Sequence, residues 1–153
     1  MKLKRLLRNY PDYLVKGSRE VEITGLCSDS RCVSPGNLFV AKRGINNDGA
    51  QFIPEAVNAG AAAILTDLYD PSLRNIPQIL ASNVQKAEAN LAAEYYMHPD
   101  KELFLIGVTG TNGKTTSTYM AKQLLDMLNS PCGLIGTIEC IIGETRYSSS
   151  LTT

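Results

Sequence analysis

The chain has 153 residues, of which 44% are hydrophobic and 20% charged, and its fifteen basic and fifteen acidic side chains cancel. This balance is typical of a soluble folded protein and excludes a disordered one, and neutrality gives no electrostatic basis for binding nucleic acid or an anionic membrane. With no apolar run of the roughly 20 residues that a membrane helix needs and no signal-peptide pattern, we expect a cytoplasmic protein without a membrane or nucleic-acid partner.

The first part of the chain alternates predicted strands and helices. Apolar residues at helical spacing, from Leu3 to Tyr10, predict a short opening helix that ends at Pro11. Strands are predicted over 21–26, 38–41, 62–65 and 77–80, and helices over 52–59 and from Val84 until the chain reaches 97–100. Gly60 is suited to cap the end of the first helix, and Ser82 and Asn83 the start of the second, whose apolar residues Val84, Ala87, Leu91 and Tyr95 keep helical spacing. The segment 97–100 is the best candidate for a boundary, which predicts domains over 1–99 and 100–153.

The second part has a different pattern. The apolar run over 103–108 predicts a strand buried on both faces of a parallel sheet. A glycine-rich turn, a helix from Lys114 and strands over 133–135 and 138–142 follow. This order predicts the start of a doubly wound α/β domain, with too few elements to complete its sheet.

The turn before Lys114 has the composition of a phosphate-binding loop. Gly110 and Gly113 allow a tight bend whose backbone N–H groups can face a phosphate, and the helix that follows adds its positive end. Lys114 can reach the terminal phosphates of ATP, and the Thr115 hydroxyl can bind Mg²⁺. The sequence therefore predicts a site for ATP and magnesium.

One position departs from the general pattern G-x-x-x-x-G-K-[ST]. The pattern places its first glycine at Val108, whereas this chain has the glycine one residue earlier, at Gly107. An ordinary glycine-rich turn and the dinucleotide pattern G-x-G-x-x-G are the alternatives, and the spacing of the glycines does not fit the latter. The strand before the turn and the Gly-Lys-Thr end favour phosphate binding.

Several strings together resemble the Mur ligases and their folylpolyglutamate synthetase relatives, in which the shifted first glycine is normal. The strings are GTNGKT from Gly110, Asp29-Ser30-Arg31, LFVA from Leu38, LIGTIE from Leu134, and Leu151-Thr152-Thr153. The last two resemble the MurE type in particular. The residues alone predict a capped turn with a surface ion pair at Asp29-Ser30-Arg31. Only the resemblance makes it a binding motif.

The resemblance implies a role for each matching position. ATP would be held by Gly110, Thr111, Asn112, Gly113, Lys114, Thr115 and Thr116, with Lys114 as the catalytic residue on the transferred phosphate and Thr115 on magnesium. The UDP-sugar would be held by Ser28, Ser30, Ile45, Asn46 and Asn47. The muramoyl-dipeptide end of the substrate would lie at Thr152 and Thr153.

The resemblance also implies a reaction. A MurE-type ligase uses ATP to convert a carboxylate to an acyl phosphate, and adds meso-diaminopimelate or L-lysine to UDP-N-acetylmuramoyl-L-alanyl-D-glutamate. The chain would hold the UDP-binding domain and the beginning of the ATPase domain, so we expect an incomplete, monomeric portion that is inactive by itself. A MurF-type ligase portion, or an inert module that binds UDP-sugar and ATP, are the alternatives.

Overall fold

The computed structural model describes residues 1–43 and 48–148. It divides into two compact units, Met1–Phe104 and Leu105–Thr153. The first unit contains α1 (Leu3–Leu6), β1 (Leu14–Lys16), β2 (Gly25–Cys27), β3 (Asn37–Val40), α2 (Ile53–Asn58), β4 (Ala63–Thr66), β5 (Gln78–Leu80) and α3 (Val84–Tyr95). The second contains α4 (Lys114–Met127), β6 (Leu134–Ile135), β7 (Glu139–Ile142) and β8 (Thr145–Ser148). None of the described helices is both long and apolar enough to cross a membrane.

The first unit is built on a five-stranded sheet with the order β1-β5-β4-β3-β2. The strands β2 to β5 are parallel, and β1 pairs antiparallel with β5 at the edge. Strand β4 is fully buried, as expected for a central parallel strand with both faces covered. Because the carboxyl ends of parallel strands lie at one edge of the sheet, the residues directly after β2, β3 and β4 begin at that edge.

Side chains alternate between two cores on the faces of this sheet. Leu38 and Leu65 pack with α1 and α3 on one face, whereas Phe39 and Ile64 pack with α2 on the other. The predicted α/β class is confirmed, and the parallel sheet lies in the first unit.

The predicted helix ends are also confirmed. The Asn83 side chain accepts a hydrogen bond from the Lys86 backbone N–H at 2.8 Å, which caps α3. Gly60 follows α2 with a φ of +98°, and a Cβ there would lie 3.1 Å from Pro35 Cα. The positive φ therefore favours glycine at this turn, and a Cβ would make a tight contact with Pro35.

The amino-terminal segment differs from its prediction. The opening helix ends at Leu6, and Tyr10 instead stacks on Tyr13 with ring centroids 5.5 Å apart. The predicted strand over 21–26 contributes only its last residues to β2, because Val21 and Ile23 form backbone hydrogen bonds with the chain's own start. Strand β1 was not predicted, since three edge residues carry no clear alternation.

The second unit confirms α4 and the two predicted strands, but not the arrangement expected around them. Strands β6, β7 and β8 form an antiparallel sheet. The run over 103–108, which crosses from the end of the first unit into the second, has no strand structure, and Phe104 is 92% exposed. A buried strand needs neighbours on both sides, and the strands described in this unit pair only with one another. The prediction of a buried strand here is wrong for the structure described.

Candidate functional site

The glycine-rich loop enters α4 through two residues with positive φ. Gly110 has a φ of +146° and Gly113 a φ of +77°. A Cβ at Gly113 would meet nothing within 4 Å, and one at Gly110 would meet only the Asn112 carbonyl at 3.8 Å. Conformation and not space therefore requires glycine, and the space left beside the backbone is open to a ligand.

The amino terminus of α4 is open to an anion. Gly113 is the N-cap residue and provides no side-chain hydrogen bond. The Ser117 N–H donates to the Gly113 carbonyl at 2.9 Å, so the N–H groups at positions 114–116 lie before the first hydrogen bond of the helix. These donors and the positive end of a fourteen-residue helix suit a phosphate group.

Lys114 lies across the loop. Its Nζ donates to the Gly110 carbonyl at 2.8 Å, which places the ammonium group beside the first of the two positive-φ glycines. Thr115, the next residue, is partly buried in the first turn of α4. In the described residues no group of three or more His, Cys, Asp or Glu side chains could hold a metal ion. One hydroxyl group with phosphate oxygens and waters is a common set of Mg²⁺ ligands, so these residues fit a magnesium ion that arrives with a nucleotide.

The segment after β2 forms the capped turn that the residues alone indicated. Asp29 accepts a hydrogen bond from the Arg31 backbone N–H at 3.0 Å. The Arg31 guanidinium also binds both carboxylate oxygens of Asp29, at 2.9 and 2.6 Å. This bidentate pair lowers the pKa of Asp29 to about 2. Ser28 is exposed beside this turn.

Ser30 is held by a residue that the sequence did not indicate. Its side chain is 8% exposed, and its Oγ donates to Glu55 Oε2 at 2.6 Å. Ser28 and Ser30 thus lie at the carboxyl edge of the parallel strands, where ligands bind in such sheets. The other predicted substrate residues, Ile45, Asn46, Asn47, Thr152 and Thr153, lie outside the described residues.

Two family models match the chain on either side of its unit boundary. The model described as Mur ligase family, catalytic domain, matches residues 22–99, which is more than half of the chain. The chain belongs to the Mur ligase family. The Mur ligase middle domain matches residues 108–153, so this match begins at the glycine-rich loop.

Curated relatives of the chain include ligases of the predicted MurE type. The chain is 44% identical, over all 153 residues, to the UDP-N-acetylmuramoyl-L-alanyl-D-glutamate--2,6-diaminopimelate ligase of Chlamydia caviae, of which it spans 32%. It thus spans about a third of the length of the curated relatives it matches.

Solved Mur ligase structures share the fold. The structure of a UDP-N-acetylmuramoyl-L-alanyl-D-glutamate--2,6-diaminopimelate ligase matches 95% of this chain and 29% of its own, with a TM-score of 0.69 and 20% identity. A MurF ligase from Thermotoga maritima in complex with ADP matches 70% of this chain and 24% of its own, with a TM-score of 0.53 and 31% identity.

Further polar contacts of this Mur ligase chain were missed by sequence reasoning. At the carboxyl edge of the first sheet, Lys42 Nζ lies 2.9 Å from Glu88 and Arg43 Nε lies 3.1 Å from Asp67. These pairs join residues far apart in sequence, so no local spacing could reveal them. They place two cations directly before the predicted UDP-contact segment.

The second unit contains another group of polar contacts between residues that are separated in the sequence. Glu139 accepts hydrogen bonds from the Tyr119 hydroxyl at 2.6 Å and from Arg146 at 2.8 Å. The hydrogen bond from Tyr119 is the largest cause of a lowered Glu139 pKa, and that same bond raises the pKa of Tyr119. Tyr119 and Thr116 of α4 also line a cavity of about 350 Å³ with Arg146. Glu139, to which the sequence assigned no role, therefore connects β7 to α4, the helix that follows the glycine-rich loop.

Proposed function

We propose that the chain is the nucleotide-binding portion of an ATP-dependent ligase that adds diaminopimelate to UDP-N-acetylmuramoyl-L-alanyl-D-glutamate in peptidoglycan synthesis. The observation that carries the proposal is its identity of 44%, along its whole length, to a ligase with this name. L-Lysine is the other amino acid that a MurE-type enzyme can add. The reaction joins the amine to a substrate carboxylate that ATP has activated as an acyl phosphate.

In this proposal the loop before α4 holds the phosphates of ATP. Gly110, Thr111, Asn112 and Gly113 provide the backbone, and Lys114, Thr115 and Thr116 the first turn of the helix. The open helix end and the position of the Lys114 ammonium over the loop support these roles. Lys114 would exchange the Gly110 carbonyl for an oxygen of the transferred phosphate, and Thr115 would contact magnesium.

The first unit holds the UDP end of the substrate in this proposal. Ser28 and Ser30 support it by their place after β2, at the edge of the sheet where parallel strands end. Lys42 and Arg43 at the same edge are paired with Glu88 and Asp67, and in this proposal they exchange these carboxylates for oxygens of the diphosphate. The roles of positions 45–47 and 152–153 stay predictions.

The proposal includes a division of labour within the chain. Residues 1–99 would bind the UDP-sugar, and residues 100–153 would begin the ATP-binding domain. Because the chain spans about a third of its relatives, we expect it to bind both ligands as a cytoplasmic monomer without turning them over.

Isothermal titration of the chain with the UDP-N-acetylmuramoyl-dipeptide and, separately, with Mg-ATP tests the proposal. Binding of both is expected. If ATP binds and the UDP compound gives no heat, the assignment of the first unit is wrong, and the converse result refutes the assignment of the loop. Phosphate release by the chain that depends on ATP and diaminopimelate would refute the expected lack of turnover. A longer form of the protein that binds the UDP compound and ATP but never reacts would favour an inert module.

A MurF-type ligase is the second candidate, because the ADP-bound MurF structure is 31% identical over its matched part. The two types differ in the acceptor peptide, so the same titration with the UDP-linked tripeptide discriminates between them. Tighter binding of the dipeptide than of the tripeptide supports the MurE type.

A further inference from the structure

The hydrogen bond between Ser30 and Glu55 sets which way the serine hydroxyl points. An ionised carboxylate only accepts hydrogen bonds, so the single hydroxyl proton of Ser30 must be the one shared at 2.6 Å. No second hydrogen bond of this hydroxyl occurs among residues 1–43 and 48–148. The Ser30 oxygen therefore keeps its lone pairs and presents only an acceptor to a ligand.

Both partners are held in place by their own elements. The Asp29 side chain caps the short helical turn Ser30–Cys32 that carries the serine. Glu55 lies in the first turn of α2, whose neighbouring residues Ile53 and Ala56 are buried in the core. With Ser30 only 8% exposed, the hydroxyl has little freedom to rotate away from the carboxylate.

We propose that Glu55 is a positioning residue that makes the uridine site select uracil over cytosine by fixing Ser30 as an acceptor. This inference rests on the proposed binding of the UDP end beside β2. The imide N3–H of uracil is a donor and pairs with such an oxygen. Cytosine has an acceptor at the same ring position, so its lone pair would face that of Ser30 and both would stay unpaired.

The test is the ratio of affinities for UDP and CDP, measured by calorimetry on the chain and on its Glu55→Gln variant. The wild-type chain should prefer UDP by about tenfold or more, the usual cost of one mispaired buried group. A glutamine has the same shape but can donate or accept, so the hydroxyl can reverse its direction. The ratio in Glu55→Gln should fall to about threefold or less.

Matched variants separate this role from a structural one. Glu22→Gln removes a carboxylate whose side chain is 78% exposed and should keep the wild-type ratio. Ser30→Ala removes the hydroxyl itself, so it should weaken the affinity for UDP and leave the affinity for CDP unchanged. This variant tests the inference if Glu55→Gln does not fold. Thermal melting confirms that each variant is folded.

Each remaining outcome counts against the proposal. A UDP-to-CDP ratio in Glu55→Gln equal to that of the wild type would overturn it, while binding of UDP itself would leave the proposed function standing. If Glu55→Gln alters only the preference for UDP over 2′-deoxy-UDP, Ser30 faces the ribose and the assignment to the base is wrong. If the wild-type chain binds no UDP, the proposed role of the first unit fails and this inference fails with it.

Discussion

Replacing Lys114 with alanine tests the phosphate loop most directly. The side chain donates to the Gly110 carbonyl at 2.8 Å and is only partly buried, so its loss removes no core contact. The free energy of unfolding should change by less than about 0.5 kcal/mol, as for other surface substitutions. Any effect on ATP binding therefore reports the loop and not the fold.

The size of the effect follows from the position of the charge. Two unit charges 4 Å apart attract by about 1 kcal/mol in water and about 4 kcal/mol at an effective dielectric constant of 20. Hydrogen bonds to charged groups contribute about 1.5–3 kcal/mol. Because Lys114 must first leave the Gly110 carbonyl, we expect a value towards the lower end, about 2 kcal/mol, which is a loss of about 30-fold in affinity.

Calorimetric titration with Mg-ATP measures this loss, and Lys122→Ala is the matched control. Lys122 lies on the same helix but pairs with Asp126 at 2.8 Å, away from the loop, so its variant should bind ATP like the wild type. Affinity for the UDP compound should be the same in all three proteins. Unchanged ATP affinity in folded Lys114→Ala, or an equal loss in both variants, would refute the role assigned to Lys114.

Three further predictions concern the first unit. Leu65→Ala should lower the free energy of unfolding, measured by urea titration, by about 3 kcal/mol because the side chain is fully buried. Its control, Leu68→Ala at a 67% exposed position, should change that free energy by less than about 0.5 kcal/mol. Equal effects of the two substitutions would contradict the described core. Asn83→Ala should cost about 1 kcal/mol through loss of the α3 cap, and an unchanged melting temperature would show that the cap contributes nothing. Because the pKa of Asp29 is lowered from 3.8 to about 2, its ion pair stabilises the fold at pH values above 3.8. The difference in melting temperature between the wild type and Asp29→Asn should therefore shrink as the pH falls from 4 and vanish below about pH 2. A difference independent of pH would refute the contribution of the ion pair.

Elements whose sequence signals lie within a few residues of one another were predicted correctly. The spacing of Val84, Ala87 and Leu91 predicted the buried face of α3, and Asn83 predicted its cap, because both signals act within one or two turns of a helix. Strands β3 and β4 were predicted for a similar reason, since each is a short apolar run next to turn residues, which is also a local signal.

The expectation that a continuous apolar run forms a buried strand failed at 103–108. Apolar residues indicate that a segment could be buried, but they do not supply the neighbouring strands, and the strands described in the second unit pair with one another. The short opening helix failed for a related reason, because Tyr10 packs against the core and its hydroxyl donates to the Asn90 carbonyl at 3.2 Å, a contact with a residue far away in the chain that helical spacing does not show.

The sequence by itself determined the family and the glycine-rich turn before α4, since the glycines, Lys114 and Thr115 lie close together in the chain and the chemistry predicted for them depends on one turn and one helix end. Only the tertiary structure decided the state of Ser30. Glu55 is 25 residues away in the chain, and the two meet because α2 and the turn after β2 lie against each other in the fold. A hydrogen bond between distant residues depends on the packing of whole elements, so the direction of that hydroxyl could not be read from either segment alone.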